Sequence, residues 1–236
     1  MPTSHAAFFY CLIVCLALLT ACWEGISHRV VAIVLSVRGE VVYRSPETDV
    51  FRKIGSDTRP GVGGVVRTAD AARLDITLLP GALLRISGNS ELRIEELKLT
   101  KDGNETESGM LDRLAQVRLS RGKIIVYFQQ PDGAEGQVAI VTDRVTIKAQ
   151  PGSLFEIETD ASKTRLTTAA GEVYASLITG GTSAIGEGYF QEWPSEQSAA
   201  MPAAGDARGQ LDLAEALRAG KDLDELEAEQ PPYIPW

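Results

Sequence analysis

The chain has 236 residues, of which 44% are hydrophobic and 23% are charged, and its formal net charge at pH 7 is -9. This composition is typical of a globular protein. It argues against a nucleic-acid partner, because phosphate binding needs clustered Lys and Arg. All 3 cysteines and both of the 2 histidines precede residue 29. The rest of the chain therefore has no residues for a thiolate zinc site or a Ser-His-Asp triad.

Residues 6–22, AAFFYCLIVCLALLTAC, form an uncharged segment after a short polar start. Its length is typical of the apolar region of a signal peptide. It ends in Leu19, Thr20, Ala21 and Cys22, an order that resembles the lipobox of bacterial lipoproteins. The resemblance implies that residues 1–21 are a signal peptide cleaved at Leu19-Thr20-Ala21 and that Cys22 carries the lipid. The alternative is a single uncleaved N-terminal transmembrane anchor.

Both alternatives predict that the residues after this segment are exported. Lipid chains on Cys22, at about 0.8 kcal/mol per buried methylene, would hold residues 22–29 to the membrane as an anchor and tether. Trp23 follows the cysteine, and by resemblance to sorted lipoproteins this favours the outer membrane. The expected location is the periplasmic face of the cell envelope.

Short apolar or alternating runs fill the region between Val30 and Trp193, and Gly, Pro, Asn or Asp interrupt them. Such runs predict β-strands, and no helical apolar period of useful length accompanies them. The region 30–194 is therefore predicted to be an all-β domain with an irregular double-layered or solenoid-like antiparallel sheet. The predicted strands are 30–37, 40–44, 74–79, 83–87, 91–99, 114–119, 123–128, 137–142, 144–149, 154–159, 164–168 and 172–178.

The predicted core consists of the apolar residues that alternate with polar ones in two neighbouring strands. These are Leu74, Ile76, Leu78, Leu84 and Ile86. Three similar segments place Gly39, Gly122 and Gly171 before a charge and a β-branched strand. We expect a positive φ at each of these glycines, because glycine adopts that conformation without steric cost.

No motif in the chain predicts catalysis or a cofactor. Asp75 with Glu91 or Glu95 could in principle form a carboxylate pair for glycoside hydrolysis, but these acids alternate with apolar residues and are expected to face solvent. The polar stretch 100–112 has the oxygen spacing of a calcium loop only in part, so a hairpin loop is the preferred interpretation. We predict a protein that is not an enzyme and that binds no metal or small-molecule cofactor.

The composition changes after residue 194. Residues 195–209 are rich in Ala, Ser, Gly and Pro and predict a linker, and residues 210–229 carry leucines among acidic residues. Gly220 is expected to separate two short helical pieces. The region 195–236 is thus predicted to be a linker with an acidic, partly helical tail, which either packs on its own sheet or docks to a partner.

An ordered set of short motifs resembles the FecR domain. It comprises Gly64-Val-Val-Arg-Thr68, Leu74-Asp-Ile-Thr-Leu-Leu79 with Pro80-Gly81, Ser90-Glu-Leu-Arg-Ile94, Arg121-Gly-Lys-Ile124, Gln150-Pro-Gly-Ser-Leu-Phe155 and Ala170-Gly-Glu-Val173, and covers about residues 33–178. FecR-type domains are the periplasmic halves of transmembrane regulators that control a sigma factor. Only five residues precede the hydrophobic segment, so a cytoplasmic anti-sigma part is not expected.

Two hypotheses for function follow. The first is a non-catalytic, membrane-anchored FecR-like module for protein–protein interaction or envelope signalling, with an envelope protein as its partner. The second is a structural lipoprotein that binds cell-wall glycan or another polymer through exposed aromatic residues. The candidate aromatics are Tyr43, Tyr127, Tyr174, Tyr189 and Trp193. Aromatics are 6% of the chain and most are expected in the core, which disfavours the second hypothesis.

Overall fold

The structure is a computed structural model that describes residues 26–101, 110–129, 135–194 and 199–229. Leu19, Thr20, Ala21 and Cys22 lie outside these residues, so their roles stay predictions. The described residues contain 17 strands, a short 3-10 helix at Ala203–Gly205 and the α-helix α1 (Ala207–Ala228). The strands are β1 (Ile26–Arg29), β2 (Ile33–Arg38), β3 (Val41–Arg44), β4 (Arg52–Lys53), β5 (Val65–Thr68), β6 (Arg73–Leu79), β7 (Ala82–Ile86), β8 (Glu91–Lys101), β9 (Met110–Phe128), β10 (Glu135–Val141), β11 (Val145–Ala149), β12 (Ser153–Thr159), β13 (Thr164–Ala170), β14 (Glu172–Leu177), β15 (Thr182–Gly186), β16 (Tyr189–Trp193) and β17 (Met201–Pro202).

The strands form two sheets that share β9. Sheet A runs in the order β15, β14, β11, β10, the first half of β9 and β8. The other edge of β8 pairs with β1 and with β5. β3 pairs with β5, and β4 pairs with β3. Sheet B runs in the order β17, β16, β13, β12, the second half of β9, β7, β6 and β2. The expected all-β, double-layered fold is confirmed. The expectation of a purely antiparallel sheet is wrong at one place, because β9 and β10 are parallel.

A sharp bend in β9 carries the chain from sheet A to sheet B. The residues 114–119 and 123–128, expected as two strands, belong to this one strand. Gly122 has φ +93°, and a Cβ there would lie 2.5 Å from the Cα of Ser90. Glycine is therefore required at the bend, for its conformation and for the close approach of the chain. The Ser90 hydroxyl accepts a hydrogen bond from the backbone N–H of Lys123 at 3.0 Å and fixes the crossing point.

The hydrophobic core lies between the two sheets. Leu74, Ile76, Leu78, Leu84 and Ile86 are all fully buried, as expected. They form one cluster with residues of sheet A that include Leu92, Ile94, Val117 and Ile147. The positive φ expected at Gly39, Gly122 and Gly171 is also confirmed. The alternation of apolar residues and the glycine turns therefore predict the layered arrangement correctly.

The strands that flank the hairpin loop expected at residues 100–112 are paired, while residues 102–109 between them lie outside the described part of the chain. β8 ends at Lys101, opposite Met110 at the start of β9, and the two strands are antiparallel. The residues of the partial calcium pattern, Asp102, Asn104 and Thr106, lie outside the described residues.

The C-terminal region contains one continuous helix. α1 has 22 residues, and the side chain of Asp206 caps it by accepting a hydrogen bond from the Gly209 N–H at 2.8 Å. The expected break at Gly220 is wrong. A Cβ at Gly220 would lie 2.8 Å from the Leu154 side chain, so this glycine allows the helix to pack closely on the sheet. The 3-10 helix, β17 and the first residues of α1 fall within the stretch that was expected to be a linker.

Candidate functional site

Helix α1 covers the outer face of sheet B, where it packs on β7, β9, β12 and β13. A small apolar patch lies at the centre of this interface. Ile125, Leu154 and Ala169 from the sheet contact Ala216 and Ala219 from the helix. Because the helix contributes mainly small side chains here, the apolar area that it buries is modest. Polar contacts surround the patch along the whole length of the helix.

Arg165 of β13 joins the first part of α1 to the sheet. Its guanidinium group donates to Asp212 at 2.9 Å, to Asp206 at 2.5 Å and to Glu192 at 2.9 Å, and it stacks 3.9 Å above the ring of Phe190. Burial alone would lower the pKa of Arg165, but these three hydrogen-bonded carboxylates raise it. All three nitrogens of the guanidinium group are thus satisfied in a nearly water-free position.

Lys123 of β9 connects the middle of α1 to a buried acid. Its ammonium group donates to Glu215 at 2.6 Å and lies 3.6 Å from Glu156 of β12. Glu156 is 3% exposed, and its Oε2 atom has no hydrogen-bond partner within the described part of the chain. Burial raises the pKa of Glu156 to about 8, and Lys123 offsets this only in part because Asp212, Glu215 and Glu158 also face the group.

Arg85 of β7 holds the last part of α1. It donates to Asp75 of β6 at 2.7 Å and to Asp222 of the helix at 3.1 Å. The backbone N–H of Gly81 donates to Glu227 at 3.2 Å. Asp75 is fully buried, so the expectation that it faces solvent is wrong. The carboxylate of Asp75 is held by Arg73 at 3.3 Å and by Arg85, and Arg85 is in turn held by Asp222 of α1.

The carboxylate pair considered for hydrolysis does not form. Glu91 and Glu95 lie in sheet A, and Asp75 lies in sheet B. Glu95 accepts hydrogen bonds from Gln116 at 2.7 Å and from Arg118 at 2.6 Å. Burial would raise the pKa of Glu95, but these hydrogen bonds lower it. Each of these acids is thus held in ion pairs with neighbouring strands.

The outward side of α1 carries exposed apolar residues. Leu211 is 71% exposed and Leu217 is 54% exposed, and Ala214 between them is exposed as well. The spacing of three residues keeps them on the half of the helix that faces away from the sheet. We call these three residues the outer face of α1. Exposed apolar side chains grouped on one element mark interaction surfaces.

A groove of about 540 Å³ lies between α1 and the β6–β7 region. Leu211, Ala214 and Arg218 line it from the helix, and Ala71 and Arg73 line it from the sheet. Glu215 and Asp222 also line the groove, so the outer face of α1 continues into a concave surface with apolar groups and charges of both signs.

The five candidate aromatic residues do not share one exposed surface. Trp193 is buried in the core and Tyr189 is exposed, while the other three tyrosines are half-buried on β3, β9 and β14. A row of exposed rings for polymer binding is therefore not formed by these residues.

The acidic residues of α1 were missed as functional candidates. Asp212, Glu215 and Asp222 are separated by three and seven residues, a spacing that places them on one side of a helix. This stripe was detectable in the sequence, but the expected break at Gly220 hid it.

No metal-binding cluster of His, Cys, Asp or Glu is found among residues 26–101, 110–129, 135–194 and 199–229. In the same residues, no helix has the length and apolar character needed to cross a bilayer.

Comparison with known proteins identifies one family. Residues 64–174 match the family model described as "FecR protein". Two crystal structures of a "putative anti-sigma factor" from Parabacteroides distasonis are similar to the chain, with 9% and 10% sequence identity and a TM-score of 0.41 in both cases. The alignment covers 58% of this chain and 57% of that protein. No curated protein matches.

The matched range begins beside β5 and ends within β14, and so contains the strands at the centre of both sheets. The motifs quoted from the sequence lie within this range, which is narrower than the span of about residues 33–178 expected for the resemblance. Residues 64–174 are therefore a FecR domain.

Proposed function

We propose that the protein is a non-catalytic signalling module of the cell envelope that binds a protein partner through the outer face of α1 and is anchored through Cys22. The observation that carries the proposal is the exposure of Leu211 and Leu217 on α1. Ion pairs attach this helix to the FecR domain. The match of residues 64–174 to the FecR family supports a role in signalling rather than catalysis.

The attachment of α1 makes its outer face a defined surface. The ion pairs of Arg165, Lys123 and Arg85 fix the helix at its beginning, middle and end. A partner that binds Leu211 and Leu217 thus meets side chains whose backbone is already ordered. Preorganisation of this kind reduces the entropy that binding costs.

The interaction is tested with a photo-crosslinking amino acid placed at Leu217 in living cells. We expect one discrete crosslinked protein, which disappears when Leu211→Glu is added to the same chain. The control position is Ile178, which is 67% exposed but lies in the turn after β14, away from α1. A crosslink that is equally strong at Ile178, or that survives Leu211→Glu, would contradict the proposed surface.

The anchor is tested separately by mass spectrometry of the purified protein. We expect the wild-type chain to begin at Cys22 with added acyl mass and to partition into detergent. Cys22→Ser should retain residues 1–21 and lack that mass. An intact, unacylated amino terminus in the wild type would replace the lipid anchor with a helical one.

A further inference from the structure

The two ends of the layered domain lie at different distances from Cys22. β1 pairs with β8 so that Ile26 is opposite Lys101, and Lys101 is opposite Met110 of β9. These three residues define the tether end of the domain. Only residues 23–25 separate Cys22 from Ile26, and four residue steps of extended chain span at most about 14 Å.

The β6–β7 turn and the end of α1 also lie near the tether end. Phe128, at the end of β9, and Arg113, near its start, both lie next to Gly136. Arg113 donates a hydrogen bond to the Pro80 carbonyl at 3.2 Å. Glu227 of α1 accepts one from the neighbouring Gly81. Arg113 is three residues after Met110, so the β6–β7 turn and the end of α1 lie about 10 Å from the tether end.

The bend in β9 and the start of α1 lie at the opposite end. Thr159 of β12 is opposite Gly122, and the turn at residues 160–163 follows it. Arg208, near the start of α1, pairs with Glu158 of the same strand. The twelve residue steps from Met110 to Gly122 at the bend correspond to about 40 Å along the strand. We call this the far end.

From this geometry we infer that the tether end faces a phospholipid surface and that the far end, with the first turns of α1, points away from it. The inference rests on the proposed lipid anchor at Cys22. The headgroup layer of a bilayer is about 5–8 Å thick. A tether of at most about 14 Å therefore keeps Ile26 at or just above the headgroups. Leu211 then lies on the side open to a partner.

Two cations lie close to the tether end. Arg29 is opposite Lys98, and both are three strand residues, about 10 Å, from the Ile26–Lys101 pair. The cavity of about 410 Å³ that these two residues help to line extends away from the tether end to Glu95. The length of the tether therefore sets the orientation, and no headgroup-binding cavity is needed.

The mature chain offers a clean way to measure this orientation, because no cysteine follows Cys22. His28→Cys places a fluorescent label near the tether end, and the matched control Ala161→Cys places one at the far end; both positions are exposed. The acylated full-length mature chains are reconstituted into vesicles of phosphatidylethanolamine and phosphatidylglycerol with or without nitroxide-labelled headgroups. We expect strong quenching of the label at position 28 and little at position 161.

A second variant isolates the tether. Ten Gly and Ser residues inserted after Trp23 add a flexible segment with a mean span of about 18 Å, and we expect them to remove most of the quenching at position 28. Acylated protein with equal quenching at positions 28 and 161, or quenching that survives the insertion, overturns the orientation and leaves the anchor intact. Unacylated protein overturns both.

Discussion

Substitution of Glu156 by Gln tests the buried acid beneath α1. Burial raises the pKa of Glu156 in the folded protein to about 8, from an ordinary value of 4.5. Between these two pH values the folded state holds a proton that the unfolded state has lost. The free energy of unfolding therefore falls as the pH rises from about 4.5 to 8.

The size of the effect follows from the two pKa values. Between pH 6 and pH 8.5 a carboxyl group with these values changes the free energy of unfolding by ~2.5 kcal/mol. The lowered pKa values of Glu192 and Asp206 change the free energy of unfolding only at acidic pH. The raised pKa of Lys123 changes it only at alkaline pH. Neither range overlaps this window, so Glu156 accounts for most of the dependence. The pKa of Glu227 is also raised by burial and acts with the same sign.

Chemical denaturation at pH 6 and pH 8.5 measures the effect directly. We expect the wild type to lose ~2.5 kcal/mol of stability between the two values, and Glu156→Gln to lose less than half of that amount, because the amide does not ionise. Glu158→Gln on the same strand is the comparison variant: it removes only the smallest of the charges that raise the pKa of Glu156, so most of the pH dependence should remain. A wild type of equal stability at both pH values, or a Glu156→Gln variant with the full dependence, would refute the reasoning.

The remaining predictions concern packing and ion pairs, and each is measured by chemical denaturation. Ile76→Ala should destabilise the protein by about 2–5 kcal/mol, because Ile76 is fully buried in the core; a loss below half of one kcal/mol would show that the wrong face was assigned. Gly220→Ala should destabilise by about 1–2 kcal/mol despite better helix propensity, because its Cβ meets Leu154; a more stable variant would contradict this. Arg165→Met should cost about 3–5 kcal/mol, since it leaves the carboxylate of Asp212 buried without its cation; a loss below about 1 kcal/mol would show that water replaces the cation.

Local patterns in the sequence were sufficient to predict the layered β fold. The alternation around Ile76 and Leu84 identified the inward-facing residues, because a strand exposes its side chains to opposite faces in turn. The glycine before each of three strands marked a positive φ, because other residues adopt that conformation only at a cost. These signals act over a few residues and need no knowledge of distant contacts.

The candidate site could not be predicted in this way, because it depends on contacts between distant parts of the chain. Arg85 and Asp222 are separated by 137 residues, and Lys123 and Glu215 by 92. Asp75 alternates with apolar residues and therefore has the pattern of a solvent-facing residue. It is buried against Arg85, which α1 contacts through Asp222, and nothing near Asp75 in the sequence indicates these contacts.

The range that matches the family model leaves out the outer strands of sheet B and the helix α1, and this has a practical consequence. Residues 64–174 include β6 and β13 but not their outer neighbours β2 and β16, nor α1. Expressed alone, this range would expose two long, unprotected strand edges and an uncovered sheet face, features that promote aggregation. A soluble fragment of this protein thus needs the N-terminal strands and the C-terminal helix from its own chain. The strands of the matched range lie at the centre of both sheets, and the segments outside it cover the edges and one face of sheet B.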